Sequence, residues 1–103
     1  MLRFGVIGYG YWGPNIVRNL RSIEGCQVYG ICDQAAAARK RIQSAHPGIP
    51  VYSDCLELIK SADVDVVAVI TPVWSHYELA KAALENGKHV FVEKPFTDRK
   101  SVV

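Results

Sequence analysis

Short apolar runs alternate with amphipathic stretches from one end of this chain to the other, the pattern of a parallel sheet wrapped by crossover helices. Residues 4–7 form the first apolar run, and a helical pattern follows over about 14–22, with Ile16, Val17 and Leu20 on one face and Arg18, Asn19 and Arg21 on the other. Gly25 ends it. A second strand is predicted over 28–32 and a second helix over about 34–45, where Ala38, Ile42 and Ala45 make a narrow apolar stripe. The turn residues Pro47, Gly48 and Pro50 separate it from a short third strand at Val51 and Tyr52. Asp54 and Glu57 have capping-box spacing and predict a brief helix. The Val/Ile run at 64–70 is the strongest strand, apolar enough to be buried on both faces. Ser75 and Glu78 predict the start of a helix that runs to Asn86 and stops at Gly87, before a fifth strand over 89–92. Right-handed crossovers then give the strand order 3-2-1-4-5 of a doubly wound α/β fold.

Composition changes this picture little. A chain of 103 residues, 50% hydrophobic and 21% charged, is sized for one globular domain. Its net charge of +2 is too small to argue for nucleic acid or a membrane surface as partner. No apolar stretch reaches the roughly 18 residues of a membrane span, and the chain opens on strand-like sequence in place of a signal peptide, so the cytoplasm is the expected location. Cys26, Cys32 and Cys55 are odd in number and contain no Cys-x-x-Cys pair, which favours buried, reduced thiols over a bridge or a metal site.

The candidate chemistry begins where the first strand runs into Gly8-Tyr9-Gly10-Tyr11-Trp12-Gly13, followed by Pro14. In a dinucleotide-binding turn of the Rossmann type, Gly8 makes the tight turn, Gly10 lets the backbone approach a pyrophosphate, and Gly13 lets the helix pack closely. The unpaired N–H groups and positive dipole end of the helix favour the phosphates. Pro14 suits a first-turn position, where no N–H is needed. Tyr11 and Trp12 either flank the dinucleotide or pack under the loop. Asp33 lies 20 residues beyond Gly13, at the tip of the second strand. There its carboxylate can accept hydrogen bonds from the adenine ribose and repel a 2′-phosphate, which favours NAD over NADP. Its other reading is a helix N-cap. Arg39, Lys40 and Arg41 would soften the discrimination if the loop folds back toward it.

Two further segments follow strands: Thr71-Pro72-x-x-x-His76, and Gly87-Lys88-His89-Val90-Phe91-Val92-Glu93-Lys94-Pro95. With the glycine turn they resemble the N-terminal domain of the glucose-fructose oxidoreductase and inositol dehydrogenase family over essentially the whole chain. The resemblance implies hydride transfer between a sugar carbinol and nicotinamide. It makes Lys94 the catalytic residue that takes the hydroxyl proton, sets Glu93 near the nicotinamide ribose, and makes Thr71, Pro72 and His76 border the cofactor. The wording Gly-Tyr-Trp-Gly-Pro-Asn is similar to the sugar-nucleotide branch, including dehydrogenases acting at C3 of UDP-N-acetylglucosaminuronate. Members of the family continue into a sheet-rich second domain that supplies the substrate floor, a further histidine and the subunit interface. The expectation is therefore a domain truncated before its sixth strand and its C-terminal partner, inactive alone, from a homo-oligomeric enzyme of sugar metabolism. The alternative is a freestanding nucleotide-binding or interaction module without catalysis, for which Glu93-Lys94-Pro95 has no evident use.

Overall fold

The computed structural model describes residues 1–10, 13–70 and 73–92. Along these residues run β1 (Leu2–Ile7), α1 (Gly13–Ser22), β2 (Cys26–Cys32), α2 (Ala36–Ala45), β3 (Val51–Tyr52), α3 (Cys55–Lys60), β4 (Val66–Val69), α4 (Val73–Glu85) and β5 (His89–Val92). The sheet has the order β3-β2-β1-β4-β5, every neighbouring pair parallel, as the alternating pattern predicts.

Successive strand residues point to opposite faces, and here both faces are covered. Ile7, Cys32, Val67 and Val69 face Leu58 and Ile59 of α3 and Ala83 of α4. Their neighbours Val6, Ile31 and Ala68 face the other way, toward Val17 of α1 and Ile42 of α2. This double burial is why β4 reads as an unbroken apolar run, with all four residues buried.

Two glycines make room for α3. Gly5 and Gly30 stand opposite each other in the β1–β2 ladder, just past an irregularity in its register. A Cβ on Gly30 would meet Tyr52 Cε1 at 2.8 Å and Leu58 Cδ1 at 2.9 Å, and one on Gly5 would meet Leu58 Cγ at 3.1 Å. The paired glycines thus form a notch that seats Leu58, which is wholly buried.

Some helix limits differ from the sequence reading. Asp33 Oδ1 accepts a hydrogen bond from Ala35 N at 2.9 Å, which holds the chain in a turn with Ala35 extended, so α2 begins at Ala36 instead of 34. The α2 stripe stops at Ile42, since Ala45 is exposed. Asp54 caps α3 as predicted, accepting from Leu56 N at 3.0 Å, although Leu56 itself is exposed and Leu58 and Ile59 are the anchors. Helix α4 starts at Val73, two residues ahead of Ser75, so the Ser75–Glu78 spacing does not mark its N-cap.

The opposite end of the sheet is fastened by charge. Asp65 accepts from the Arg3 backbone N–H at 2.9 Å and from Arg3 Nε at 3.1 Å, while Lys88 Nζ donates to the carbonyls of Ser61 and Val64 at 2.6 and 2.7 Å. Hydrogen bonds from the Arg3 side chain and backbone hold the Asp65 carboxyl below its ordinary value of 3.8. A carboxyl depressed in the folded state stabilises it above the unfolded pKa, and that contribution disappears as pH falls through the lower folded value. Asp65→Asn should therefore flatten the acid-side loss of stability, checked by thermal unfolding of both proteins from about pH 6 to about pH 2. Parallel curves for the two proteins would contradict it.

Candidate functional site

One row of residues crosses the sheet at the carboxyl ends of all the strands. Tyr52 pairs with Cys32, Cys32 with Ile7, Ile7 with Val69 and Val69 with Val92. The sequence motifs begin just past this row: Gly8 after Ile7, Asp33 after Cys32, Thr71 two residues after Val69, and Glu93 after Val92. Ligands of open α/β sheets bind at this edge, and between β1 and β4 the chain reverses its direction of winding, opening a crevice.

The glycine turn is held rigidly on one side and left bare on the other. Gly8 has φ of 102°, a conformation that suits glycine, and its N–H donates to Cys32 O at 2.8 Å. A Cβ on Gly13 would lie 2.7 Å from Gly8 O, so only glycine lets α1 close against the turn. Gly10, by contrast, is exposed, and a Cβ there would meet nothing within 4 Å. Among the described residues, the first and third glycines are thus fixed by close contacts, while none approaches the second.

Asp33 sits in the middle of this arrangement. Its Oδ2 accepts from Tyr9 N at 2.8 Å and its Oδ1 from Ala35 N at 2.9 Å, so one carboxylate joins the loop after β1 to the loop after β2. A carboxylate offers about four acceptor positions, which leaves capacity for two hydroxyls. The N-cap of α2 is Ala35, so Asp33 is not the helix cap of its second reading; its carboxylate instead sets the turn ahead of α2 and faces the glycine turn. Arg39 does fold back: its Nη1 donates to Asp33 O and Gln34 O, both at 2.9 Å, placing a positive charge beside this turn.

Tyr9 is the residue sequence reasoning missed. It is buried on the α1–α2 side of the sheet, with its ring edge-on to His46 at a centroid distance of 6.2 Å. It anchors the turn from below, and an aromatic between two glycines was the available signal. Burial, then the nearby Arg21 guanidinium, holds the His46 imidazole below its ordinary value, and Arg21 Nη1 lies 2.8 Å from its Nδ1. His46 is structural, capping the end of α2.

Gly8, Gly10, Gly13 and Asp33 are thus brought together. Tyr11, Trp12, Thr71, Pro72, Glu93 and Lys94 lie outside the described residues, as does the side chain of His76, whose backbone belongs to the first turn of α4. Among the described residues no cluster of His, Cys, Asp and Glu could hold a metal ion, and no helix is long and apolar enough to cross a membrane. The exposed Gly10 backbone, the close α1 start and the spare acceptor capacity of Asp33 are features that a dinucleotide site of this fold requires.

The family model described as "Oxidoreductase family, NAD-binding Rossmann fold" matches residues 2–102. A glycosyl hydrolase family 109 protein of Solibacter usitatus is 40% identical over 106 residues, covering 91% of this chain and 24% of the relative. A probable dehydrogenase from Thermotoga maritima superposes with a TM-score of 0.86 at 36% identity, covering 91% of this chain and 28% of that one. The apo scyllo-inositol dehydrogenase of Lactobacillus casei superposes with a TM-score of 0.84 at 26% identity, over 92% of this chain and 29% of that one. The chain spans about a quarter of the length of these proteins.

Proposed function

Because this chain belongs to the oxidoreductase family with an NAD-binding Rossmann fold, we propose that it is the cofactor-holding part of an enzyme moving a hydride between a sugar or sugar-nucleotide carbinol and a nicotinamide dinucleotide. The observation that carries this reading is Asp33, whose carboxylate ties the turn after β1 to the turn after β2 beside the bare backbone of Gly10. Nicotinamide, when bound, supplies a carbon that accepts or returns the hydride. The chain's own residues do the rest. Gly10 and the start of α1 receive the pyrophosphate, and Asp33 receives the adenine ribose. Tyr11, Trp12, Thr71, Pro72 and His76 border the cofactor, and Glu93 faces the nicotinamide ribose. Lys94 takes the carbinol proton as the hydride leaves and returns it in the reverse direction. A positive nicotinamide ring bound beside it would favour its neutral form. The enzyme acts in the cytoplasm as a homo-oligomer, on a substrate held largely by protein outside this chain.

NAD is the preferred cofactor, since a 2′-phosphate would bring its charge against Asp33. Calorimetric titration with both dinucleotides tests this: NAD(H) is expected to bind more tightly than NADP(H), and Asp33→Asn to narrow the gap at least about tenfold. Equal affinities in the unaltered chain would remove Asp33 from the role, and the folded-back Arg39 would be the natural cause.

The glycosyl hydrolase relatives favour a second reading, in which the hydride is taken from a sugar and returned to it within one catalytic cycle. Glycoside cleavage with a nicotinamide dinucleotide is a known exception to the two-carboxylate scheme. The same site residues serve, and only the product differs. Accumulation of NADH during sugar turnover by the full-length enzyme supports a dehydrogenase, whereas release of a free sugar without NADH supports the hydrolase.

A further inference from the structure

Beside the dinucleotide site, on the α3–α4 face of the sheet, lie two sulfurs that the proposed chemistry does not use. Cys32 is the last residue of β2 and has no exposed surface, while Cys55 is the first residue of α3 and is half-buried. Their Sγ atoms are 2.7 Å apart. Unbonded sulfurs normally stay well beyond this distance, and a disulfide holds them at about 2.05 Å, so closing the bond needs an approach of only about 0.7 Å. The third cysteine, Cys26, stands at the opposite end of β2.

We propose that Cys32 and Cys55 are a peroxide-sensitive thiol pair that closes to a reversible disulfide across the β2–α3 contact. The two sulfurs are not equivalent. The two thiols share a hydrogen bond, and this contact, with burial, pushes the Cys32 thiol far above its ordinary range. The same hydrogen bond lowers Cys55, against burial and the carboxylates of Asp54 and Asp33, which raise it. Cys55 is thus both the more accessible and the more readily ionised sulfur, as a reactive cysteine must be. Its thiolate attacks one oxygen of hydrogen peroxide, breaking the O–O bond to give Cys55 sulfenic acid and hydroxide. Cys32 then attacks that sulfur, forming the S–S bond and breaking the S–O bond; the sulfenic hydroxyl departs with the Cys32 thiol proton as water. The pair gives up two electrons and the peroxide takes them. A dithiol reductant reverses the change by exchange.

The bond would pin the residue before Asp33 to the start of α3. Its formation does not depend on the reading of the dinucleotide site, so its test is independent of cofactor binding. The chain is treated with hydrogen peroxide, the remaining thiols are alkylated, and intact mass and peptide mapping identify the product. The expected result is loss of two of the three thiols, one intramolecular Cys32–Cys55 link, and full recovery after dithiothreitol. The pair should react at least about tenfold faster than Cys26. Cys26→Ser should leave the reaction unchanged, and Cys55→Ala should leave Cys32 reduced. Cys32→Ser should carry the oxidation of Cys55 past sulfenic acid, with circular dichroism confirming that each variant is folded. Three alkylated thiols after peroxide, a link through Cys26, or a disulfide joining two chains would overturn the proposal, and the unaltered chain alone can return any of these.

Discussion

Alanine at position 13 is expected to abolish measurable dinucleotide binding and to lower the melting temperature, whereas alanine at position 10 should weaken binding and leave the melting temperature nearly unchanged. The difference lies in what each new methyl group meets. At position 13 it would lie 2.7 Å from the backbone oxygen of Gly8 and 3.4 Å from the Tyr9 ring. Neither neighbour can yield easily, because Gly8 is fixed by its hydrogen bond to Cys32 O and Tyr9 by burial and by Asp33. The start of α1 must then move off the turn, which removes the closely packed N–H groups on which a pyrophosphate would rest. Overpacking of this kind costs roughly 1–3 kcal/mol, and each kcal/mol lowers the melting temperature of a chain this size by about 4–8 °C. At position 10 the methyl meets none of the described residues within 4 Å, and no positive φ penalises it. A dinucleotide at the turn is the neighbour it would obstruct. Calorimetry and thermal unfolding on both variants check the contrast, and equal losses of stability would show that the glycines do not divide their work in this way.

The second large effect is kinetic. In the full-length enzyme, Lys94→Ala should lower kcat at least about a hundredfold while cofactor affinity stays within about twofold. Oxidation of a carbinol leaves a hydroxyl proton that must go somewhere as the hydride departs, and general-base catalysis contributes roughly a hundredfold or more. Lys94→Arg should fail as well, since a guanidinium holds its proton at any working pH. Steady-state rates with separate titration of cofactor binding decide it. A near-normal rate in Lys94→Ala would assign the proton transfer to another group, with His76 the first to test.

The order of the strands was legible in the sequence because each apolar run and each glycine-ended helix made the same demand. The site was partly legible for the same reason, since the glycine spacing and Asp33 are local patterns. What escaped was set by contacts distant in sequence. The notch of Gly5 and Gly30 can be understood only once Leu58 is seen above it, and the anchoring of Tyr9 only once His46 lies beneath. The start of α2 was misjudged because Asp33 spends a lone pair on Ala35 N, a choice that alanine propensity alone does not reveal. Cys32 and Cys55, 23 positions apart, meet only because a crossover lays α3 over the end of β2.

The two margins of the sheet differ in a way that gives the domain a direction of growth. On one margin β3 is two residues long and follows Pro50, so a visiting strand would find few free backbone groups there. On the other, among the described residues, stands β5, four residues long, with Phe91 and Val92 partly open to solvent. Material added to this fold can extend the sheet past β5 while the β3 end keeps its shape. The turns after β1 and β2 thereby stand apart from whatever is added at that margin.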